Sequence, residues 1–185
     1  MKMNFAVIVR CAVILILTAF AGACAIHKTY TNPPDVVPHV DLERYMGTWY
    51  EIARYPNRFE KGCVDVTATY TLRQDGKVTV LNECIAETPK EKRKSIQGVA
   101  WVPDPTANAK LKVRFFWPFS ADYWIIHLDD NYEYAVVSHP SRKYLWILYR
   151  KPEMDDSLYN SILDLLRKKE FDLTPLYKTP QQGHL

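Results

Sequence analysis

The chain of 185 residues suggests one domain, or one domain with a small second unit. Hydrophobic residues make up 48% of it and charged residues 24%, which are ordinary values for a soluble globular protein. The formal net charge of +3 is too small, and too evenly spread along the chain, to indicate a protein that binds nucleic acid.

Residues 1–23 are predicted to be a secretory signal peptide. Lys2 and Arg10 supply positive charge, residues 11–20 form an apolar run, and small residues lead up to Cys24. The run is too short for a membrane-spanning helix, which needs about 20 apolar residues. Two interpretations of its end stay open: an ordinary cleavage site, or a bacterial lipobox in which Cys24 becomes the lipidated first residue.

The residues around Cys24 favour lipidation. Small residues stand directly before it as in a lipobox, although Ala21 occupies the position where leucine is usual. Ala25 rather than aspartate follows, which in lipoproteins of this kind implies sorting to the outer membrane. Residues 24–40 are then predicted to be a lipidated N-terminus and a proline-broken, extended tether that holds a domain of residues 41–185 off a surface.

β-Strand patterning fills most of the predicted domain. Apolar Val66, Ala68 and Tyr70 alternate with polar residues, and Asp75-Gly76 is a hairpin turn signal. Strands joined in sequence by tight turns favour an up-and-down meander, and closing that meander into a barrel removes its exposed edges. The eight predicted strands span residues 49–55, 64–72, 77–84, 95–102, 111–116, 123–128, 134–138 and 144–150.

Residues 152–169 break the β pattern. Leu158, Ile162 and Leu166 have the spacing of one helical face, after an acidic first turn and before a basic end. The sequence therefore predicts an all-β fold: an eight-stranded antiparallel up-and-down β-barrel with a C-terminal amphipathic α-helix.

Two further segments are predicted to lie on the surface. Residues 116–119, Phe-Trp-Pro-Phe, are too apolar to enter the barrel together, so they line its open mouth, rest on a membrane, form a dimer contact or fold back over the barrel. We favour a role of Trp117 in admitting a lipid tail from the bilayer. The basic run of residues 90–94 is either a solvated loop or a contact with acidic lipid head groups.

Three sequence blocks occur in order along the domain. They are a Gly-x-Trp at residues 47–49 that continues through residues 50–60, an acidic segment ending in tyrosine at residues 129–132, and a strand ending in arginine at residues 145–150. In these blocks the chain resembles the lipocalins, in particular the bacterial outer-membrane lipoprotein lipocalins and their apolipoprotein D-like relatives. The resemblance covers nearly the whole domain, although the usual threonine before the second block is absent.

The resemblance implies structural roles for three residues. Trp49 would plug one end of the barrel, Arg150 would lie across its indole in a cation–π contact, and Gly47 would let the preceding turn pass close beneath the plug. These residues would hold the closed end of the barrel and would not bind ligand.

An eight-stranded barrel is just wide enough to hold one small ligand or to be filled by side chains. The predicted inward-facing residues are mostly small, which favours a cavity over a filled core. An acyl chain suits an apolar cavity, because each methylene that it buries contributes about 0.8 kcal/mol to the binding free energy. A core packed solid by the same residues is the alternative. The predicted ligand-binding residues are Val66, Ala68, Tyr70, Val80, Asn82, Val99, Trp101, Phe115 and Trp117.

Cys63 and Cys84 are predicted to form a disulfide, because the hairpin turn between them places both at one end of a strand pair in an exported domain. The Cα atoms of a disulfide lie about 5.5–6 Å apart, so we expect a bulge near Gly62. The rival interpretation is an enzyme, since a lipocalin prostaglandin isomerase uses a strand cysteine as its nucleophile and Cys63 lies in a comparable region.

No phosphate loop, paired-carboxylate site or zinc spacing is present, so the sequence predicts no catalytic residue, no metal and no cofactor. By resemblance, the chain is expected to store or transport a fatty acid or lysophospholipid, anchored in the outer membrane and facing the periplasm. A structural envelope lipoprotein without ligand shares every motif and stays open. Some family members form homodimers, and the sequence gives no independent evidence on this point.

Overall fold

Antiparallel strands form most of the backbone in the computed structural model, which describes residues 32–87 and 92–183. The predicted signal peptide, Cys24 and the first residues of the basic run lie outside the described residues. The strands are β1 (Gly47–Arg54), β2 (Cys63–Leu72), β3 (Val78–Ala86), β4 (Lys92–Trp101), β5 (Lys110–Phe116), β6 (Phe119–Leu128), β7 (Tyr134–Ser138), β8 (Leu145–Tyr149) and β9 (Tyr177–Lys178).

The first eight strands close into a barrel. Each of β2 to β7 pairs antiparallel with the next strand in sequence, and β1 pairs with both β8 and β2. The predicted eight-stranded up-and-down barrel is confirmed. Lys92, Arg93 and Lys94 pair with the end of β3, so the second half of the predicted basic loop is strand.

The chain has three helical segments among the described residues: α1 (Leu42–Tyr45), a 3₁₀ turn (Pro105–Ala107) and α2 (Asp156–Lys168). The predicted C-terminal helix begins at Asp156 rather than Pro152, because the Asp155 carboxylate accepts a hydrogen bond from the Leu158 amide and caps the first turn. Ile162 and Leu166 pack against the outer face of the barrel. Among the described residues no helix is long and apolar enough to cross a membrane.

The barrel has two unlike ends. The closed end holds α1 and the turns that follow β2, β4 and β6, whereas the mouth is formed by residues 55–62, the ends of β3 and β4, the turn at residues 117–118 and residues 139–144. The seven connections between the eight barrel strands thus alternate between the two ends, four at the mouth and three at the closed end, as an up-and-down topology requires.

An N-terminal segment, residues 32–40, runs along the outside of the barrel from the mouth to the closed end. Arg142, in the mouth, donates to the carbonyl of Asn32 at 3.3 Å. Further along, the Val37 amide donates to the Ile125 carbonyl at 3.0 Å. Val40 then bonds Asn108 beside the closed end. The described part of the predicted tether therefore packs on the domain.

Candidate ligand cavity

A cavity occupies the interior of the barrel. The space open to the centres of water-sized molecules is about 110 Å³, and one water needs roughly 10–15 Å³ on that measure. The interior is therefore not packed solid, and it has room for several waters or for part of a ligand chain. The lining residues are Leu42, Tyr45, Met46, Glu51, Glu60, Val66, Thr67, Ala68, Tyr70, Val78, Val80, Asn82, Ala100, Leu111, Val113, Phe115, Tyr123, Trp146 and Leu148.

Six of the nine predicted ligand-binding residues line this cavity. They are Val66, Ala68, Tyr70, Val80, Asn82 and Phe115. Trp117 lies outside it, in the mouth, with 82% of its surface exposed.

The prediction that Val99 and Trp101 face inward is wrong. In the β3–β4 ladder Val78 pairs with Ala100, and both line the cavity, so their neighbours in β4 point to the outer face. The large, apolar side chains at 99 and 101 suggested a core-facing set. The inward positions of β4 hold the small residues Gly98 and Ala100 instead. At position 98 space is short, because a Cβ atom there would lie 2.7 Å from the ring of Phe115.

The closed end of the cavity carries a chain of tyrosine hydroxyls. The hydroxyl oxygen of Tyr123 lies 2.8 Å from that of Tyr45 and 2.9 Å from that of Tyr70. Burial raises the pKa of Tyr70 to about 12 and the pKa values of the other two well above the ordinary value. All three hydroxyls stay protonated, so each can donate one hydrogen bond. The two contacts among them use two of these donors, and the third is left to donate to a ligand oxygen. Tyr45 and Tyr123 were not predicted as lining residues.

The mouth end carries an acidic pole, which we define as the carboxylates of Glu51 and Glu60 with the guanidinium of Arg54. Arg54 contacts the Glu51 carboxylate, and its Nε lies 3.9 Å from that of Glu60. The indole nitrogen of Trp146 donates to Glu60 at 3.2 Å. Burial, together with the neighbouring Glu60 charge, raises the pKa of Glu51 to about 8, although Arg54 and the hydroxyl of Thr179 oppose that shift.

The C-terminal segment completes the barrel wall beside this pole. β1 pairs with β2 over residues 47–50, and further along β1 pairs with β9 instead. After β9, the Asp65 amide donates to the Pro180 carbonyl at 2.9 Å, and the Gln181 side chain bridges the carbonyls of Glu51 and Val66. Neither β9 nor the contacts of residues 180–181 with β1 and β2 were predicted from the sequence. A strand of two residues is too short to show the alternation of apolar and polar residues from which strands are predicted.

Asn82 adds a polar group to the apolar wall. Its Oδ1 is buried and has no hydrogen-bond partner in the described part of the chain. Leaving a buried acceptor unpaired costs about 1–3 kcal/mol, so this oxygen is suited to accept a hydrogen bond from a ligand.

The closed end is sealed by Trp49, whose side chain is fully buried. Its indole nitrogen donates to the Tyr45 carbonyl at 2.8 Å, and the guanidinium of Arg150 lies 3.8 Å from the ring centroid. Arg150 also donates to the carbonyls of Thr48 and Arg44. At Gly47, φ is +91° and a Cβ atom would lie 3.3 Å from Arg150, so the turn beneath the plug requires glycine.

The predicted disulfide between Cys63 and Cys84 is present, with Cα atoms 5.6 Å apart. The bulge that brings the two strands into this register lies between Val64 and Thr67, and not near Gly62 as predicted. With its sulfur in a disulfide, Cys63 lacks the free thiol that a nucleophile needs. Within the described ranges, no three His, Cys, Asp or Glu side chains are grouped to hold a metal ion.

Comparisons with known proteins agree with this architecture. Residues 40–181 match the family model of the lipocalin-like domain. Temperature-induced lipocalin-1 of Arabidopsis thaliana is 42% identical over 80% of this chain and 82% of its own length. The outer membrane lipoprotein Blc of Escherichia coli K12 is 38% identical over 91% of this chain and 97% of its own length.

More distant proteins share the fold. Apolipoprotein D of Macaca fascicularis is 34% identical over 83% of this chain and 82% of its own length. Among solved structures, insecticyanin from the tobacco hornworm Manduca sexta superposes with a TM-score of 0.66 at 20% identity, over 84% of this chain and 87% of that one. The family match and these relatives, together with the closed barrel and its plug, show that the chain belongs to the lipocalin family.

Proposed function

We propose that this protein carries single-chain lipids, either fatty acids or lysophospholipids, and stores or transports them for maintenance of the outer membrane. Cys24 would carry the lipid anchor, with the barrel on the periplasmic side. The lipobox-like sequence before Cys24 supports this placement, as does the similarity to a bacterial outer membrane lipoprotein.

The observation that carries the proposal is the division of the cavity into an apolar middle and two polar ends. Val66, Ala68, Val80 and Ala100 form apolar wall between the tyrosine hydroxyls and the acidic pole. An acyl chain matches the wall, because its burial contributes about 0.8 kcal/mol for each methylene and makes no directional demand. A polar end at the mouth matches a head group that stays near solvent.

The acidic pole favours one of the two cargo classes. A fatty-acid carboxylate at the mouth end would lie beside Glu51 and Glu60, and the guanidinium of Arg54 already donates to Glu51, Thr179 and backbone carbonyls. An ammonium-bearing lysophospholipid head group instead brings a positive charge towards the carboxylate of Glu60 and a hydrogen-bond donor towards Glu51, which holds its proton below about pH 8. We therefore expect lysophosphatidylethanolamine to bind more tightly than palmitate.

Titration of the lipid-stripped protein with these two lipids tests the proposal. Trp146 lines the cavity, so its fluorescence is the readout, and Trp146→Phe is the control that should lose most of the signal. We expect saturable binding at one site per barrel, with a Kd of about 1 μM or tighter. Tighter binding of palmitate would contradict the head-group assignment. An absence of saturable binding of either lipid, with the circular dichroism of a folded barrel, would contradict the carrier function and favour a structural role.

A further inference from the structure

The mouth of the barrel presents large aromatic side chains to solvent. Phe59 is 67% exposed, Phe116 66%, Trp117 82% and Phe119 77%. The loop between β1 and β2 contributes Phe59, and the end of the β5–β6 hairpin contributes the other three. Exposed apolar groups gathered at one end of the barrel indicate a contact surface rather than scattered surface residues.

Positive charge surrounds these aromatic side chains. The exposed cationic residues of the mouth segments include Arg58, Lys61, Lys92, Lys94 and Lys143. Arg93 is also exposed but pairs with Glu83. Among the described residues of these mouth segments, Glu87 is the only acidic residue that is exposed. The mouth is therefore both aromatic and cationic.

The closed end has the opposite character. Its exposed cations, Arg44, Arg73, Lys77 and Lys151, are accompanied by a larger set of exposed carboxylates. Those carboxylates belong to Asp41, Glu43, Asp75, Asp104, Asp130 and Glu133. A negatively charged surface would thus attract the mouth and repel the closed end, which orients the barrel before any contact is made.

The N-terminal segment independently indicates the same orientation. Asn32 is held at the mouth by Arg142, and the chain runs from there towards the closed end. Cys24 precedes Asn32 by eight residues, which span at most roughly 29 Å when fully extended. A lipid on Cys24 would therefore tie the mouth side of the barrel to the bilayer.

We propose that the mouth is a docking surface for an anionic lipid bilayer, with the aromatic side chains of residues 59, 116, 117 and 119 in the interface and the surrounding lysines and arginines against anionic head groups. Aromatic side chains favour the membrane interface, and each basic residue near an anionic surface adds to the attraction. In this orientation a lipid passes between the bilayer and the cavity without crossing water. The inference rests on the proposed carrier function for its purpose, but the docking itself does not require a cargo.

Binding to vesicles tests the proposal. The mature chain, residues 24–185, carries Cys24→Ser, so that neither the apolar leader nor a lipid anchor contributes, and is mixed with vesicles of phosphatidylcholine alone or with about one third phosphatidylglycerol. We expect binding to the anionic vesicles, weakened by salt. The mouth variant Lys92→Glu/Lys94→Glu should bind at least about tenfold more weakly. The matched closed-end variant Arg73→Glu/Lys77→Glu changes the net charge by the same amount and should bind like the parent.

A second variant separates insertion from simple charge attraction. Trp117→Ser/Phe119→Ser keeps every charge, and we expect it to lose most vesicle binding while it still binds lysophospholipid in solution. Equal losses from the mouth and closed-end charge variants would overturn the docking proposal. It would also be overturned if the parent bound neither kind of vesicle, or if the protein formed a stable dimer that covers the mouth. A failure of the carrier function is distinguishable, because it would abolish cargo binding in solution and leave vesicle binding unchanged.

Discussion

The guanidinium of Arg150 lies 3.8 Å from the centroid of the Trp49 indole, and both side chains belong to the plug that separates the cavity from solvent at the closed end. Arg150 is held there by three backbone carbonyls, those of Thr48, Arg44 and Tyr132. The contact joins α1, β1 and the end of β8, so it fixes elements that are distant in sequence.

Replacing the indole removes the plug. We predict that Trp49→Ala lowers the free energy of unfolding by roughly 3–5 kcal/mol, because a fully buried aromatic side chain is lost and Arg150 is left over a void. Urea denaturation measures the change. Trp101→Ala, on the outer face of β4, is the control and should cost far less. Similar losses from both variants would contradict the assignment of the plug.

Gly98 is predicted to resist substitution although its backbone is ordinary strand. A Cβ atom there would lie 2.7 Å from both the Phe115 ring and the Arg114 carbonyl oxygen. We therefore expect Gly98→Ala to destabilise the barrel by about 1–3 kcal/mol, whereas glycine-to-alanine changes in strands usually stabilise. Thermal unfolding against the exposed Ser95→Ala control measures this, and an unchanged or raised Tm for Gly98→Ala would contradict the close packing of β4 on β5.

The disulfide is predicted to stabilise the barrel by constraining the unfolded chain. Cys63 and Cys84 are 21 residues apart, and closing a loop of this size contributes about 3 kcal/mol. We expect Cys63→Ala/Cys84→Ala to lose about that amount in urea denaturation while it keeps its cargo affinity. Thiol titration of the oxidised, denatured mature chain, residues 24–185 with Cys24→Ser and therefore without Cys11, should detect no free thiol. A reactive Cys63 thiol would instead revive the isomerase interpretation.

Glu51 is predicted to make stability depend on pH. Its pKa is raised to about 8 in the folded state from 4.5, so the folded chain holds a proton that the unfolded chain has released between these values. The free energy of unfolding due to this group therefore falls as pH rises from about 4.5 to about 8. Glu51→Gln keeps an acceptor for Arg54 and cannot titrate.

Thermal unfolding of the parent and of Glu51→Gln across this range measures the effect. The Tm of the parent should fall relative to that of Glu51→Gln as pH rises. His127 and His139, whose pKa values are lowered by burial, act in the opposite direction but do so equally in both proteins. A constant difference in Tm between the two proteins from about pH 5 to about pH 8 would contradict the buried, proton-holding Glu51.

The sequence predicted the barrel, the helix and the disulfide because these depend on patterns within one or two neighbouring strands. Alternation in β2 identified Val66, Ala68 and Tyr70, and the Asp75-Gly76 turn brought the cysteines together. The same kind of pattern misplaced Val99 and Trp101, because in β4 the bulky residues face outward and the small ones make room for Phe115.

The acidic pole could not be predicted from the sequence. Glu51 and Arg54 are three residues apart in β1, where simple alternation would put them on opposite faces, and a register shift between Glu51 and Ala53 turns both to the same side. Thr179 reaches the pole from the far end of the chain through β9. Such contacts depend on a bulge and on a long-range insertion, neither of which leaves a periodic signal.

Adjacent residues of β4 offer the most direct test that the barrel interior is the lipid site. Ala100→Trp places an indole in the cavity, whereas Val99→Trp places the same side chain on the outer face of the same strand. Ala68→Phe, on β2 and two strands away, fills the same cavity with a smaller ring, in case Ala100→Trp fails to fold. With folding checked by circular dichroism, we expect lysophosphatidylethanolamine binding to be lost in the two cavity variants and retained in Val99→Trp. Folded cavity variants that bind the lipid as tightly as the parent would contradict the account.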